Sequence, residues 1–157
     1  YAVRAADVVG PTGRVWAQDI EADYLALLQR RLRTAPKPNV TIALGEPHDP
    51  RLPAGSVDVA LMIHMYHEIA QPFGLLHNLA PALRPGARVV VLDLDAPTAN
   101  HGTPPALLDC EFATMGYQLE RRTVTAPGEY VAVYRLPGAV TPPDSVAPRL
   151  ARGGCAS

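Results

Sequence analysis

The chain has 157 residues, of which 48% are hydrophobic and 18% are charged, and this is the size and composition of one globular domain. Its 14 basic and 15 acidic residues give a formal net charge of −1, which offers no basic surface for nucleic acid. No apolar run approaches the ~20 residues that a membrane-spanning helix needs, so we expect no membrane partner.

The cysteines and the first residue bear on the cellular location. Cys110 and Cys155 lie far apart and match neither a metal-site spacing nor a disulfide framework. We therefore expect a reduced, cytoplasmic protein. Because the sequence begins with Tyr1, we expect that a segment was removed or that the sequence begins in mid-chain, and a lost signal peptide would change the expected location.

Periodicity and turn residues predict alternating elements in the first part of the chain. Residues 1–9 end a helix, which the turn at 10–13 (GPTG) closes. Residues 14–19 (RVWAQD) form a short strand that ends in an acid, and residues 21–34 place their leucines along one helix face. Residues 40–44 (VTIAL), rich in β-branched side chains, form a second strand.

The central part of the chain contains two nearly unbroken apolar runs. Residues 57–63 (VDVALMI) and 88–94 (RVVVLDL) are typical of strands that are buried on both faces of a parallel sheet. Between them, residues 72–83 predict a helix whose last turn Pro81 kinks or shortens. Residues 104–115 predict a final helix before a glycine.

The pattern changes after this helix. Residues 117–125 and 129–136 are two strands at hairpin spacing. Residues 137–157 are rich in Pro, Ala, Gly and Arg without periodicity, which predicts a disordered tail after a single domain over residues 1–136. The whole pattern indicates an α/β fold with a doubly wound, mostly parallel sheet and a C-terminal antiparallel hairpin.

Three segments, in this order and spacing, carry a family resemblance: residues 9–20 (VGPTGRVWAQDI), 45–69 (GEPHDPRLPAGSVDVALMIHMYHEI) and 83–94 (LRPGARVVVLDL). They resemble the second strand, the adenine-side loop with the fourth strand, and the fifth strand of class I (Rossmann-like) S-adenosylmethionine-dependent methyltransferases. The resemblance departs at Ala87, where the family usually has glycine. It implies methyl transfer from S-adenosylmethionine to a small molecule or another acceptor that the sequence does not identify.

The expected cofactor site begins at the end of the first visible strand. Ligands of open α/β sheets bind at the carboxyl ends of the strands, and a carboxylate there can accept hydrogen bonds from ribose hydroxyls. This favours Asp19, with Ile20 packing on the adenine. The alternative is that Asp19 caps the helix that begins near Glu21.

The next loop is the expected adenine site. The resemblance implies an acidic residue after a glycine, and Gly45, Glu46 and Pro47 match that pattern. Because the loop is longer than is usual in the family, Asp49 or His48 is an alternative to Glu46. An exposed loop without a cofactor contact is a further alternative.

The HMYHE segment, residues 64–68, follows the strand where cofactor and acceptor would meet. His64 is a candidate cofactor contact, and His67 with Glu68 are candidates for a general base. The alternative is that they are ordinary polar residues at the start of a short helix. The segment contains neither H-E-x-x-H nor H-x-x-E-H, and the sequence places no third ligand, so we expect no metal.

One part of the resemblance is missing, namely the first strand and the glycine-rich loop that lets backbone approach the cofactor. We expect either a longer protein, in which strands 14–19 and 57–63 lie about 10 Å apart, or a smaller module in which these strands pair directly. Two other functions stay open, a nicotinamide-dependent oxidoreductase and a non-catalytic binding module. The sequence does not indicate the oligomeric state.

Overall fold

The computed structural model describes residues 1–146 and 154–155. Its helices and strands are, in chain order, α1 (Ala2–Val9), β1 (Val15–Asp19), α2 (Ala22–Thr34), β2 (Val40–Leu44), β3 (Val57–Ile63), α3 (Pro72–Leu79), β4 (Leu83–Leu94), α4 (Pro105–Thr114), β5 (Gln118–Ala126) and β6 (Glu129–Arg135). Within the described part of the chain, no helix combines the length and the apolar character that crossing a bilayer requires.

The strands form two sheets. β1 and β2 pair in parallel, with Val15 opposite Val40 and Asp19 opposite Leu44. The second sheet has the order β3-β4-β6-β5, in which β3 and β4 are parallel and the β5–β6 hairpin is antiparallel. The predicted α/β class, with parallel strands and a C-terminal antiparallel hairpin, is confirmed.

β1 and β3 belong to different sheets and are not paired within residues 1–146. The expected alternative in which these strands pair directly is therefore wrong, whereas a longer protein stays a prediction. The expectation that residues 57–63 are buried on both faces is also wrong, because Val59 and Leu61 are 52% and 55% exposed. Side chains alternate along a strand, and only the opposite face, with Ala60 and Met62, packs on the core.

The main core lies between the four-stranded sheet and the helices α3 and α4. The apolar face of α3 is buried, as its periodicity predicts, through Leu75, Leu76 and Leu79. From α4, Phe112 stacks on the Tyr134 ring of β6, with the ring centroids 3.9 Å apart. These contacts fix α4 against the sheet, so that one face of the helix is available to line a site beside it.

Two element boundaries differ from the prediction around Pro81. The helix ends at Leu79, and Pro81 lies in a short 3₁₀ turn, Ala80–Ala82, as the missing proline N–H predicts. β4 begins at Leu83 instead of residue 88. The residues of the predicted turn lie within this strand, at an irregularity in its pairing with β3. Gly86 provides the positive φ of 80° that this irregularity requires.

The predicted disordered tail, residues 137–157, is described only in part. Val146 is buried in the core, and the backbone N–H of Thr141 donates to the Met115 carbonyl at 3.0 Å. Cys155 forms a disulfide with Cys110 of α4, so the expectation of unpaired cysteines is wrong. Sequence spacing could not reveal this bond, because its partners meet only when the chain end packs on α4. Residues 147–153 and 156–157 lie outside the described ranges.

The disulfide closes a segment of 45 residues in sequence separation, and a loop of this size is expected to add about 2–4 kcal/mol of stability. We expect the Cys155→Ser variant to unfold at a lower temperature than the wild type in differential scanning fluorimetry. Dithiothreitol should lower the wild-type Tm toward that of the variant and leave the variant unchanged. A wild-type Tm that is insensitive to complete reduction would contradict a stabilising role.

Candidate functional site

The candidate site residues lie where strands end. Asp19 is the last residue of β1, Gly45 follows β2, and His64 follows β3. Asp93 is the penultimate residue of β4. These are the carboxyl ends of strands that pair in parallel within their sheets, which is where open α/β sheets bind ligands.

Asp19 and Gly45 lie side by side at the ends of β1 and β2. The Asp19 Oδ1 atom accepts a hydrogen bond from the Glu21 backbone N–H at 2.9 Å. Glu21 itself is the N-cap residue of α2, which has no side-chain cap hydrogen bond, so the alternative in which Asp19 caps this helix is wrong. The Gly45 N–H donates to the Asp19 carbonyl, also at 2.9 Å. A Cβ at residue 45 would lie 2.9 Å from the Asp49 carbonyl oxygen, so the close approach of the following loop to this residue requires glycine. Ile20 is half-exposed beside them.

The loop after Gly45 folds on itself. Glu46 and Asp49 exchange backbone hydrogen bonds of 2.7 and 3.1 Å around Pro47. The Glu46 carboxylate pairs with the Arg51 guanidinium, and the Asp49 Oδ1 atom accepts from the Arg51 backbone N–H at 2.8 Å. Two of the three candidate adenine ligands, Glu46 and Asp49, therefore already have side-chain partners within the loop. The third, His48, has its Nε2 atom 3.7 Å from a Glu46 carboxylate oxygen.

His67 is held against a buried carboxylate. Its side chain is 6% exposed, and its Nδ1 atom lies 3.1 Å from Oδ1 of Asp93, which is fully buried. Asp93 also accepts from the Thr103 hydroxyl at 2.8 Å and from the Leu94 N–H at 2.9 Å. Since a carboxylate only accepts, the Nδ1–H of His67 donates, and in the neutral imidazole Nε2 keeps a lone pair.

A small cavity of about 50 Å³ lies beside this pair. It is lined by Tyr66, His67, Ile69, Pro72, Thr98, Thr103, Leu107 and Glu111. In its wall, the Tyr66 hydroxyl donates to the Glu111 Oε2 atom at 2.8 Å. Burial raises the pKa of the Glu111 carboxyl, and the hydrogen bond from Tyr66 only partly opposes this rise.

The other two candidate residues of the HMYHE segment lie in different places: Glu68 is beside His67, and His64 is beside the β5–β6 hairpin. Glu68 lies next to His67, with its Oε1 atom 4.0 Å from the His67 Nε2 atom, so the predicted pair is brought together. His64 adopts a φ of 48° and instead places its Nε2 atom 3.4 Å from a Glu129 carboxylate oxygen. His101, from the loop after β4, lies with its ring centroid 5.7 Å from that of His67.

Four residues around His67 were missed by sequence reasoning: Asp93, His101, Thr103 and Glu111. One signal was available, because Asp93 is the only charged residue within the apolar run VVVLDL, and a charged residue in a buried strand usually has a specific partner. The other three had no such signal, since they come from a loop and from the middle of α4.

Comparison with known proteins identifies the family. Residues 2–91, more than half of the chain, match the family described as the methyltransferase domain. The chain belongs to the methyltransferase-domain family. The resemblance to class I S-adenosylmethionine (SAM)-dependent methyltransferases is thereby confirmed. A curated relative, an uncharacterized 37.1 kDa protein in transposon Tn4556 of Streptomyces fradiae, is 34% identical over 90 residues, which are 57% of this chain and 26% of that protein. The chain thus spans about a quarter of that relative's length.

Solved structures show the same fold at low sequence identity. One similar structure is a SAM-dependent methyltransferase from Aquifex aeolicus, with a TM-score of 0.78 and 18% identity over 85% of this chain and 74% of that chain. Another is the glycopeptide N-methyltransferase MtfA complexed with sinefungin, with a TM-score of 0.70 and 13% identity over 85% of this chain and 75% of that chain.

The buried Glu111 carboxyl predicts a pH-dependent stability. Because the pKa of the Glu111 carboxyl is raised in the folded state, the contribution of this group to stability is greatest below its ordinary pKa of 4.5 and falls as pH rises through the folded pKa. Glu111→Gln keeps an acceptor for the Tyr66 hydroxyl without the charge. We expect the Tm of this variant to exceed that of the wild type at pH 8, and the difference to shrink toward pH 4. A difference that does not vary with pH would contradict the raised pKa.

Proposed function

We propose that the protein transfers the methyl group of SAM to a small-molecule acceptor. The observation that carries this proposal is the buried His67–Asp93 pair at the carboxyl end of the β3–β4 sheet, in a chain of the methyltransferase-domain family. Two similar structures contain ligands of the expected type. The trans-methyltransferase CalH, with a TM-score of 0.62 and 20% identity over 78% of this chain, is complexed with S-adenosylhomocysteine (SAH), and MtfA is complexed with sinefungin. SAM is therefore the proposed cofactor.

Asp19 and the β2 loop would hold the nucleoside part of SAM. The Asp19 carboxylate would accept hydrogen bonds from ribose hydroxyls while it keeps its contact with the Glu21 N–H. Half-exposed Ile20 offers an apolar surface for the adenine ring, and Gly45 lets the loop that carries Asp49 fold back against the end of β2. Glu46 or Asp49 would bind the exocyclic amine through the carboxylate oxygen that does not contact Arg51.

His64 would act at the other end of the cofactor. It follows β3 directly, and its positive φ turns the chain toward the hairpin, where Glu129 lies 3.4 Å from the imidazole. Such a conformation is uncommon for a residue with a side chain and costs about 1–3 kcal/mol. The surrounding structure must therefore fix the backbone at His64. A fixed backbone would position this residue between the cofactor and the acceptor.

His67 would accept the acceptor's proton. In the transfer, the acceptor's lone pair forms a bond to the methyl carbon, the carbon–sulfur bond breaks, and its electron pair returns to sulfur to give SAH. The proton of an O–H, N–H or S–H acceptor passes to Nε2 of His67, and Asp93 stabilises the imidazolium that results. Glu68, 4.0 Å from Nε2, adds a second negative charge near this cation. Positioning and exclusion of water would supply the remaining rate enhancement.

A small-molecule acceptor completes the proposal, whereas the expected cytoplasmic location has lost its basis because the two cysteines are paired. The net charge of −1 argues against nucleic acid as the acceptor, and the cavity beside His67 has the size for one small group. The Cys110–Cys155 disulfide weighs against the cytoplasm, where such bonds are rare. Alkylation of the source cells during lysis, followed by mass spectrometry of the two cysteines, tests the location.

Calorimetric titration with SAH and with NADH tests the cofactor. We expect SAH to bind, and Asp19→Ala to weaken it by about ten- to a hundredfold, because charged hydrogen bonds to the ribose are lost. Asp23→Ala, which removes another acid from the first turn of α2, is the matched control and should leave the affinity unchanged. NADH binding without SAH binding would favour an oxidoreductase, and binding of neither would favour a non-catalytic module.

Substitution of His67 tests the proposed base. SAH release from SAM is measured with a low-molecular-weight metabolite extract of the source cells as the acceptor mixture. We expect His67→Gln to lower the rate by about 10²- to 10⁴-fold while SAH affinity stays unchanged. His77→Gln, on α3, removes an imidazole that contacts the Thr141 carbonyl and should keep the rate. A full rate in the His67 variant would contradict the role of base.

A further inference from the structure

Three potential metal ligands converge at the outer side of His67. His67, Glu68 and His101 each offer one ligand atom, and these atoms all lie within 4.8 Å of one another. Two imidazole nitrogens and one carboxylate oxygen form a donor set that binds divalent transition-metal ions. We propose that His67, Glu68 and His101 bind one such ion, with Zn²⁺ as the simplest representative. Metal binding can be measured without cofactor or acceptor, so this proposal does not rest on methyl transfer.

His67 already has the geometry of a metal ligand. Its Nδ1 faces Asp93 at 3.1 Å, whereas Nε2 lies on the side of the Glu68 carboxylate, 4.0 Å away. Histidines that bind metals almost always donate their other ring N–H to a carboxylate or carbonyl, which fixes the tautomer and orients the lone pair. Asp93 is itself held by Thr103, so this supporting contact needs no rearrangement.

Glu68 and His101 are free to complete the coordination. The Glu68 side chain is 69% exposed, and His101 is exposed at the end of the short Thr98–Asn100 helix. Ligand atoms around a tetrahedral ion with bonds of about 2.1 Å are about 3.4 Å apart, so donor atoms that lie as much as 4.8 Å apart must approach one another by up to about 1.4 Å. Rotation of two exposed side chains provides such a movement, while buried His67 stays fixed.

A bound ion would change how an acceptor is activated. Three protein ligands leave at least one position for water or for an acceptor's oxygen, nitrogen or sulfur atom, and the ion lowers the pKa of a group bound there. In the metal-loaded protein the Nε2 lone pair of His67 is occupied. The ion, and not the imidazole, would then promote loss of the acceptor's proton.

Titration of the chelator-treated protein tests the site. Binding is measured with Co²⁺ by visible absorption and with Zn²⁺ by calorimetry. We expect one ion per chain, and we expect Asp93→Asn to weaken its affinity by about 10- to 100-fold because the orienting contact is altered. Glu68→Gln and His101→Ala, which remove ligands, should weaken affinity at least as much. His48→Ala is the matched control, since this exposed histidine lies 3.7 Å from the Glu46 carboxylate outside the cluster.

The outcomes separate this proposal from the proposed function. Unchanged affinity in both Glu68→Gln and His101→Ala would overturn it, as would an equal loss in His48→Ala or no binding to the wild type. Glu68 is exposed, so its substitution keeps the fold, and circular dichroism checks each variant. Failure of SAM-dependent transfer would leave these metal affinities unaffected, and failure of metal binding would leave SAH binding unaffected.

Discussion

The buried carboxylate of Asp93 is the group on which the geometry of the site depends. A charge in this position is costly unless donors surround it. Here the donors are the Leu94 N–H at the end of β4, the Thr103 hydroxyl in the following loop and the His67 ring after β3. Three separate segments are thereby fixed to one another. The Tyr130 hydroxyl extends the network to β6 by donating to the Thr103 carbonyl at 2.7 Å.

Much of the fold followed from local patterns, because periodicity and turn residues report on interactions a few residues apart. Helix α2, strand β2 and the β5–β6 hairpin lie within a residue or two of their predicted bounds. The exposure of Val59 and Leu61 did not follow. Their apolar character fits a covered face, but whether a face is covered depends on which strands and helices lie beside it. The local sequence does not specify that arrangement.

Some residues of the candidate site were likewise predictable from local sequence, and others were not. Asp19 and Gly45 were predictable, because the end of a strand is visible in the sequence and the carboxyl ends of strands are where ligands bind. The partner of His67 was not, since Asp93 belongs to a strand that reaches it only in the folded sheet. His101 was missed because it joins from another loop. The Cys110–Cys155 disulfide was missed for the same reason.

A single lone pair on His67 serves both proposed roles. As a base, Nε2 must be free, and Asp93 supplies the orientation and most directly the counter-charge that an imidazolium needs, with Glu68 as a second negative charge. The base mechanism does not require the exposed His101, although the centroid of its ring lies 5.7 Å from that of His67. A second imidazole and the Glu68 carboxylate each place a donor atom within 4.8 Å of a His67 ring nitrogen, and such clustering of donors is what a metal site requires. Both roles use the same His67 tautomer, which Asp93 fixes. Whether His67 acts as a base or as a metal ligand therefore depends on whether Glu68 and His101 bind an ion beside it.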